Sequence, residues 1–242
     1  MIRLPQLGPL APDQFPDPHD ALADPNGLLA FGGDLSPQRL LAAYRAGIFP
    51  WFGEGEPILW WSPDPRCVFR TDTPRINRSL RRQLAGKPWR LTVDHAFEAV
   101  IRACAAPRRN ESGTWLVPAM IGAYVQLHRL GHAHSVEVWD GERLVGGIYG
   151  VAIGKLFCGE SMFSAESGGS KVALVALARL LHEMDFPLLD TQVSNPHTLG
   201  LGAIEMSREP YLDEVTRLTR LPGRHGSWAE LTPRLLQPCA DA

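Results

Sequence analysis

Residues 134–163 read HSVEVWDGERLVGGIYGVAIGKLFCGESMF, and this stretch decides the fold. Before it the apolar residues recur at helical spacing; from His134 they come in short β-branched and aromatic runs. Asp140-Gly141 and Gly154-Lys155 interrupt those runs with the dipeptides of tight hairpins, so three strands fold as an antiparallel meander. Downstream, 170–184 carries Val172, Leu174, Val175, Leu177, Ala178 and Leu181 on one helix face. A short strand over 187–193 then closes the unit and holds Asp190, Thr191 and Gln192. Three strands, a helix and a fourth strand predict a mixed sheet with a helix packed on it.

Upstream, 36–46 reads as a helix, with Ser36 as cap, Pro37 in the first turn and Gly47 as stop. The segment IFPWFGEGEPILWWSPDPR follows, crowding Phe49, Trp51, Phe52, Trp60 and Trp61 between turn residues. Helices are predicted over 73–85, 94–105 and 118–130. The class is therefore α+β, with an aromatic-rich N-terminal domain over 1–65 and a mixed-sheet domain over 66–242, meeting at a soft boundary between about 65 and 100.

Composition narrows the functional classes. With 242 residues, 45% apolar and 21% charged, the chain can bury a sizeable core, which excludes global disorder. No run of 18 uncharged apolar residues exists to span a membrane. The opening MIRLPQLGPLAPDQFPD is broken by prolines and is no secretory signal. Cys67, Cys104, Cys158 and Cys239 form no C-x-x-C pair, which points to reduced thiols in a cytoplasmic protein.

A net charge of −2 by itself suggests no polyanionic partner. Between residues 66 and 90, however, Arg66, Arg70, Arg75, Arg78, Arg81, Arg82, Lys87 and Arg90 face Asp72 alone. Around the helix predicted there, Ile76, Leu80 and Leu84 form a docking stripe, while Arg75, Arg78, Arg81 and Arg82 occupy the other side without the usual acids four residues away. Such a face is either solvated or holds a phosphate backbone through counterion release.

Motifs for common chemistries fail on spacing. GGSK at 168–171 lacks the first glycine of a phosphate loop and the Ser or Thr after the lysine. GESMF at 159–163 lacks the second glycine of a nucleophile elbow. His128, His132 and His134 straddle Gly131 with no close carboxylate, as packing histidines would rather than metal ligands. What remains are polar residues in apolar strands: Glu160, and Asp190 with Gln192, which alternation puts on one face. Buried carboxylates are costly unless paired or functional. On spacing alone, Asp190 could equally cap a helix starting near Asn195, Glu160 could bond backbone, and Trp51 and Trp115 could be core aromatics.

The runs PNGLLAFGGDLSPQRLLAAYRAGIFPWF, ILWWSPDPR, GTW at 113–115, LGHAHSVEVW, LVGGIYGVAIGKLFCGESMFS and LDTQVSN closely resemble those of leucyl/phenylalanyl-tRNA–protein transferases, in the family's order from about Phe15 to Tyr211. The resemblance implies a small N-terminal α/β domain joined to a domain like that of Gcn5-type N-acetyltransferases. It implies a cytoplasmic, monomeric enzyme that moves Leu or Phe, and Met less well, from aminoacyl-tRNA to proteins beginning with Arg or Lys, marking them for degradation. No cofactor or metal is implied, because an aminoacyl ester is already activated.

By motif, the resemblance makes Asp190 the residue that deprotonates or orients the amine, Gln192 the one that positions the ester, and Glu160 the one that holds the substrate amino group or the basic acceptor. Trp51 and Trp115 stack on the terminal adenosine. Phe157, Gly159, Met162 and Leu189 line the side-chain pocket, and Arg75, Arg78, Arg81 and Arg82 hold tRNA phosphates. Two other readings share parts of this pattern. A coenzyme A-dependent N-acetyltransferase needs a Q/R-x-x-G-x-G/A turn that AESGGS does not supply, and a non-catalytic tRNA-binding protein needs only the basic helix and the tryptophans.

Overall fold

Pro37 and Ser36 start the first helix as their chemistry dictates, and Gly47, at φ 72°, ends it. In the computed structural model, which describes residues 4–9, 11–72, 87–106 and 116–231, this helix is α1 (Pro37–Arg45). The aromatic-rich segment around it forms strands as well as turns: β1 (Gln6–Leu7), β2 (Leu28–Gly32), β3 (Phe49–Pro50) and β4 (Leu59–Trp61) make a sheet of order β1-β2-β4-β3. Trp60 anchors it, wholly buried, with its indole N–H donating to the Gly32 carbonyl at 2.9 Å and its ring edge-on to Phe15.

The remaining elements are β5 (Arg66–Arg70), β6 (Arg90–Val93), α2 (Phe97–Ala105), α3 (Pro118–Arg129), β7 (Ala133–Asp140), β8 (Arg143–Ile153), β9 (Leu156–Ser164), α4 (Gly169–Glu183), β10 (Leu188–Gln192), α5 (Pro196–Gly200), β11 (Ile204–Met206) and α6 (Arg208–Thr219). Their seven strands run in the order β11-β5-β10-β9-β8-β7-β6, and only β9 and β10 pair in parallel. The expected meander is β7-β8-β9, turning where Asp140 pairs Arg143 and where Ile153 pairs Leu156. The expected helix over 170–184 is α4, and the closing strand is β10. The class is α+β with a mixed sheet.

The sheet has two cores. One face packs on α1, α2, α3 and α6 through residues such as Tyr44, Val100, Tyr124, Tyr149 and Tyr211. The other packs on α4 and Trp228 through Phe157, Leu174, Leu177, Phe186 and Leu189. Gly146 lets α4 lie directly on β8, since a Cβ there would fall 2.5 Å from the Gly169 backbone.

Several expectations change. The helix predicted over 94–105 begins only at Phe97, because Asp94 takes φ 59° and spends its carboxylate on Ser135 N–H, His134 and Trp228 N–H. Part of the basic window is strand: Arg66 and Arg70 bound β5, and Arg90 opens β6. The helix predicted over 73–85, with Arg75, Arg78, Arg81 and Arg82, lies outside the described residues, as do Trp115 and Cys239.

Candidate active site

Parallel strands β9 and β10 hold register through Leu188–Leu156, Leu189–Phe157 and Asp190–Cys158, and no further. A bulge on each explains why. Against β8, the register of β9 passes from Gly159 to Ser161 and leaves Glu160 as the extra residue. Against β5, β10 passes from Asp190 to Gln192, and Gln192 takes φ 63°. Bulges re-aim side chains and end pairing; here they open the sheet and bring Glu160 and Gln192 together.

The Gln192 side-chain amide donates to Glu160 Oε1 at 2.7 Å, and the Tyr124 hydroxyl donates to Glu160 Oε2 at 2.7 Å. Tyr124 Oη is also 2.6 Å from Tyr44 Oη. Each hydroxyl has one proton, so with Tyr124 donating to the carboxylate, Tyr44 donates to Tyr124. The relay thus runs from α1 through α3 to β9. Burial raises the Glu160 carboxyl to about 7, against the opposing pull of the tyrosine donors.

Asp190 is wholly buried in a different arrangement. Arg66 grips it with Nε at 2.9 Å and Nη2 at 2.8 Å, the Tyr211 hydroxyl donates at 2.8 Å, and the Gln192 backbone N–H donates at 2.8 Å. That last bond helps hold Gln192 in its left-handed conformation, where a non-glycine residue is strained. Arg66 in turn donates to the Gly47 carbonyl and lies over the Phe49 and Tyr211 rings, tying the N-terminal sheet to β10.

Two cavities meet at the opening. One, of about 260 Å³, is lined by Phe49, Pro50, Trp51, Glu160 and Gln192 among others. The second, of about 180 Å³, lies between Ile148, Gly159, Met162, Leu174 and Thr198. Glu160, Thr191 and Asn195 line both. The first is walled by an exposed indole: Trp51 is 44% accessible, tilted against Trp61 at 5.5 Å, and its carbonyl accepts the Trp61 indole N–H. The second pairs an apolar wall of Ile148, Met162 and Leu174 with a polar one of Ser161, Thr191, Asn195 and Thr198.

Of the residues singled out from sequence, Glu160, Gln192 and Trp51 line the first cavity, and Gly159 and Met162 the second. Phe157 and Leu189 are wholly buried in the α4-side core, and Leu189 Cδ1 lies beneath Gly159. Asp190 lines neither cavity and stands behind Gln192. Three of the open alternatives close: Asn195, not Asp190, caps α5, Glu160 bonds side chains, and Trp51 is exposed rather than a core aromatic. His128 stacks on Phe97 and donates to the Ala133 carbonyl, and His134 stacks on Trp228. Among the described residues, no group of three or more His, Cys, Asp and Glu could hold a metal ion. Sequence reasoning missed Tyr44, Tyr124, Arg66 and Tyr211. The one signal for the tyrosines was a hydroxyl on an apolar helix stripe, which needs a partner when buried.

Comparison with known proteins makes the chain an aminoacyltransferase. A family model described as leucyl/phenylalanyl-tRNA protein transferase matches residues 68–216, and a model of that family's N-terminal domain matches 33–64. A leucyl/phenylalanyl-tRNA–protein transferase of Xanthomonas euvesicatoria pv. vesicatoria (strain 85-10) is 61% identical over 224 residues, covering 92% of this chain and 90% of that one. Another from Xanthomonas oryzae pv. oryzae (strain MAFF 311018) is 60% identical over 89% of this chain and 87% of its own. A solved GCN5-related N-acetyltransferase from Kribbella flavida aligns with TM-score 0.38 and 12% identity, over 71% of this chain and 61% of its own. The chain belongs to the leucyl/phenylalanyl-tRNA protein transferase family.

Proposed function

We propose that the chain joins Leu or Phe, and Met more slowly, from aminoacyl-tRNA to the α-amino group of proteins that begin with Arg or Lys, marking them for degradation. It acts as a cytoplasmic monomer without cofactor. Residues 1–65 contribute Trp51 to the adenosine platform, and 66–242 contribute Trp115 and the acyl-transfer chemistry. The observation that carries the reading is the Glu160–Gln192 pair at the junction of two cavities, one walled by the Trp51 indole and one with Ile148, Met162 and Leu174 on its apolar side. An activated ester needs little more than a positioned carbonyl, a neutral amine and a path for one proton.

In this reading the Gln192 amide positions the ester, and Asp190 acts behind it by holding the Gln192 backbone. The amino-acid side chain enters the cavity beside Gly159 and Met162, above Phe157 and Leu189. Methionine at 162 suits a site that takes both a branched and an aromatic guest. The terminal adenosine stacks on Trp51 and Trp115, and Arg75, Arg78, Arg81 and Arg82 hold phosphates of the acceptor stem.

The deciding assay mixes radiolabelled Phe-tRNA or acetyl-coenzyme A with a peptide starting with Arg. Label passing to the peptide from Phe-tRNA alone is expected. Label from acetyl-coenzyme A makes the chain an acetyltransferase, and no label from either leaves a tRNA-binding protein. Trp51→Ala should raise KM for the charged tRNA by roughly 5- to 150-fold, the equivalent of the ~1–3 kcal/mol typical of one stacked base, with kcat little changed. An unchanged KM would remove the indole from recognition.

Gly159→Ala tests the side-chain cavity. A methyl there meets Leu189 Cδ1 at 3.4 Å, an ordinary contact, so the fold tolerates it while the cavity narrows. Transfer of Phe should fall about tenfold relative to Leu, within the range set by one methylene. Equal effects on both amino acids would place the side chain elsewhere.

A further inference from the structure

Among the described residues, the polar groups singled out at the site are Asp190, Gln192 and Glu160, each a candidate receiver of the proton that the attacking amine must lose. Asp190 already accepts four hydrogen bonds, two of them from Arg66, and lines neither cavity. A carboxylate so placed has its lone pairs taken by four donors and is out of reach of a group in either cavity. The Gln192 amide has no useful basicity. Glu160 is a carboxylate at the junction of both cavities, with one donor on each oxygen and a second lone pair left on each.

Resting on the transfer reaction proposed above, we infer that Glu160 is the general base of the aminoacyl transfer and that Tyr124, backed by Tyr44, is the positioning residue that sets its basicity. The step balances without a co-reactant. The neutral amine nitrogen attacks the ester carbonyl carbon and forms the C–N bond; Glu160 takes the proton that nitrogen sheds. When the C–O bond to the terminal ribose breaks, the departing oxygen receives that proton from Glu160, and the carboxylate is restored. Gln192, bonded to Oε1, is carried next to the same reacting atoms. A base poised near the working pH suits this exchange better than one ionised far below it.

The groups that face Glu160 are Tyr44 from α1, Arg66 from β5, Tyr124 from α3, Tyr149 from β8, Cys158 from β9 and Asp190 from β10. Burial is the largest influence and raises the carboxyl to about 7; the tyrosine hydrogen bonds and Arg66 oppose it, and Asp190 reinforces it. Removing the Tyr124 hydroxyl removes a donor to the carboxylate and should raise it further. For an acid raised by folding, the linked stability is fully present below its unfolded value and is lost as pH rises through about 7.

The test is single-turnover transfer from saturating Phe-tRNA to an Arg-initial peptide, measured from pH 5.5 to 9. The wild-type protein should show an inflection near 7, besides the one near 8 belonging to the peptide's own amine. Glu160→Gln should lose roughly 10²- to 10⁴-fold and the lower inflection, keep the amine inflection, and gain stability relative to wild type between pH 5 and 8. Tyr124→Phe should keep transfer at high pH and move the lower inflection upward. A Glu160→Gln protein within about threefold of wild type, or one that retains the inflection near 7, overturns the assignment. So does an unmoved inflection in Tyr124→Phe, which is the deciding measurement should Glu160→Gln fail to fold. A wild-type protein that transfers nothing overturns the parent reaction instead.

Discussion

Asp190→Ala is expected to cost about 3–5 kcal/mol of folding stability, because it strands the Arg66 guanidinium, buried to within 1% of full coverage, without its counterion. The same change should lower single-turnover transfer by roughly 10²-fold, the size of a lost orientation effect, because the Gln192 backbone loses its acceptor. Taken together the two losses are ambiguous, since an unfolded enzyme is also an inactive one. The paired variant Arg66→Met/Asp190→Leu separates them. Replacing both partners of a buried ion pair by apolar residues of similar volume is often neutral or stabilising, because the desolvation cost of both charges disappears.

The paired variant should therefore unfold in urea within about 2 kcal/mol of wild type. Its transfer should stay at least about a hundredfold down, since nothing then accepts the Gln192 backbone N–H in the bulge. Recovered stability with transfer within a few-fold of wild type would reduce the pair to a structural tie between Gly47 and β10. Unrecovered stability would mean that Tyr211, which also donates to Asp190, fixes the site through the carboxylate alone.

The meander, α4 and β10 were legible in the sequence because each depends on local periodicity and on turn residues a few positions away. The short strands were not. β5 and β6 sit in a segment whose arginines read as a solvated or phosphate-binding face, yet Arg66 is inside the protein. Its partner lies 124 positions away, and no local pattern carries that distance. The same holds at the site. Glu160, Asp190 and Gln192 stood out as polar residues in apolar strands, but the division of labour between the carboxylates depends on what faces each one. Tyr124 reaches Glu160 from a helix 36 positions earlier, and Arg66 reaches Asp190 from the neighbouring strand. The bulges decide the rest. A period of two put Asp190 and Gln192 on one face, and the extra residue between them against β5 gives Gln192 the left-handed turn that brings its amide to Glu160.

Trp228→Ala is expected to cost about 3–5 kcal/mol, the usual range for deleting a large buried aromatic. Nothing near Trp228 in sequence predicted this: it lies beyond α6, in a segment rich in Gly, Arg and His. Its ring is wholly buried, parallel to His134 within 5° at 3.7 Å, and it packs near Phe157 and Phe186 at 5.9 Å each. Its backbone N–H donates at 2.8 Å to Asp94, the carboxylate that also bonds His134. One residue thus closes the core on the α4 side and fixes the segment after α6 to the start of β7. Phe157 belongs to that core and lies on the strand that carries Gly159 and Glu160. A cavity left at 228 should therefore loosen the side-chain pocket as well as the fold, raising KM for charged tRNA more than it lowers kcat. Trp228→Phe keeps an aromatic ring against His134 and should lose less than half as much stability. Chemical denaturation of the three proteins, followed by tRNA titration at a temperature where all are folded, checks both parts. If alanine costs under about 1 kcal/mol, the segment is a passenger and α4 closes the core by itself.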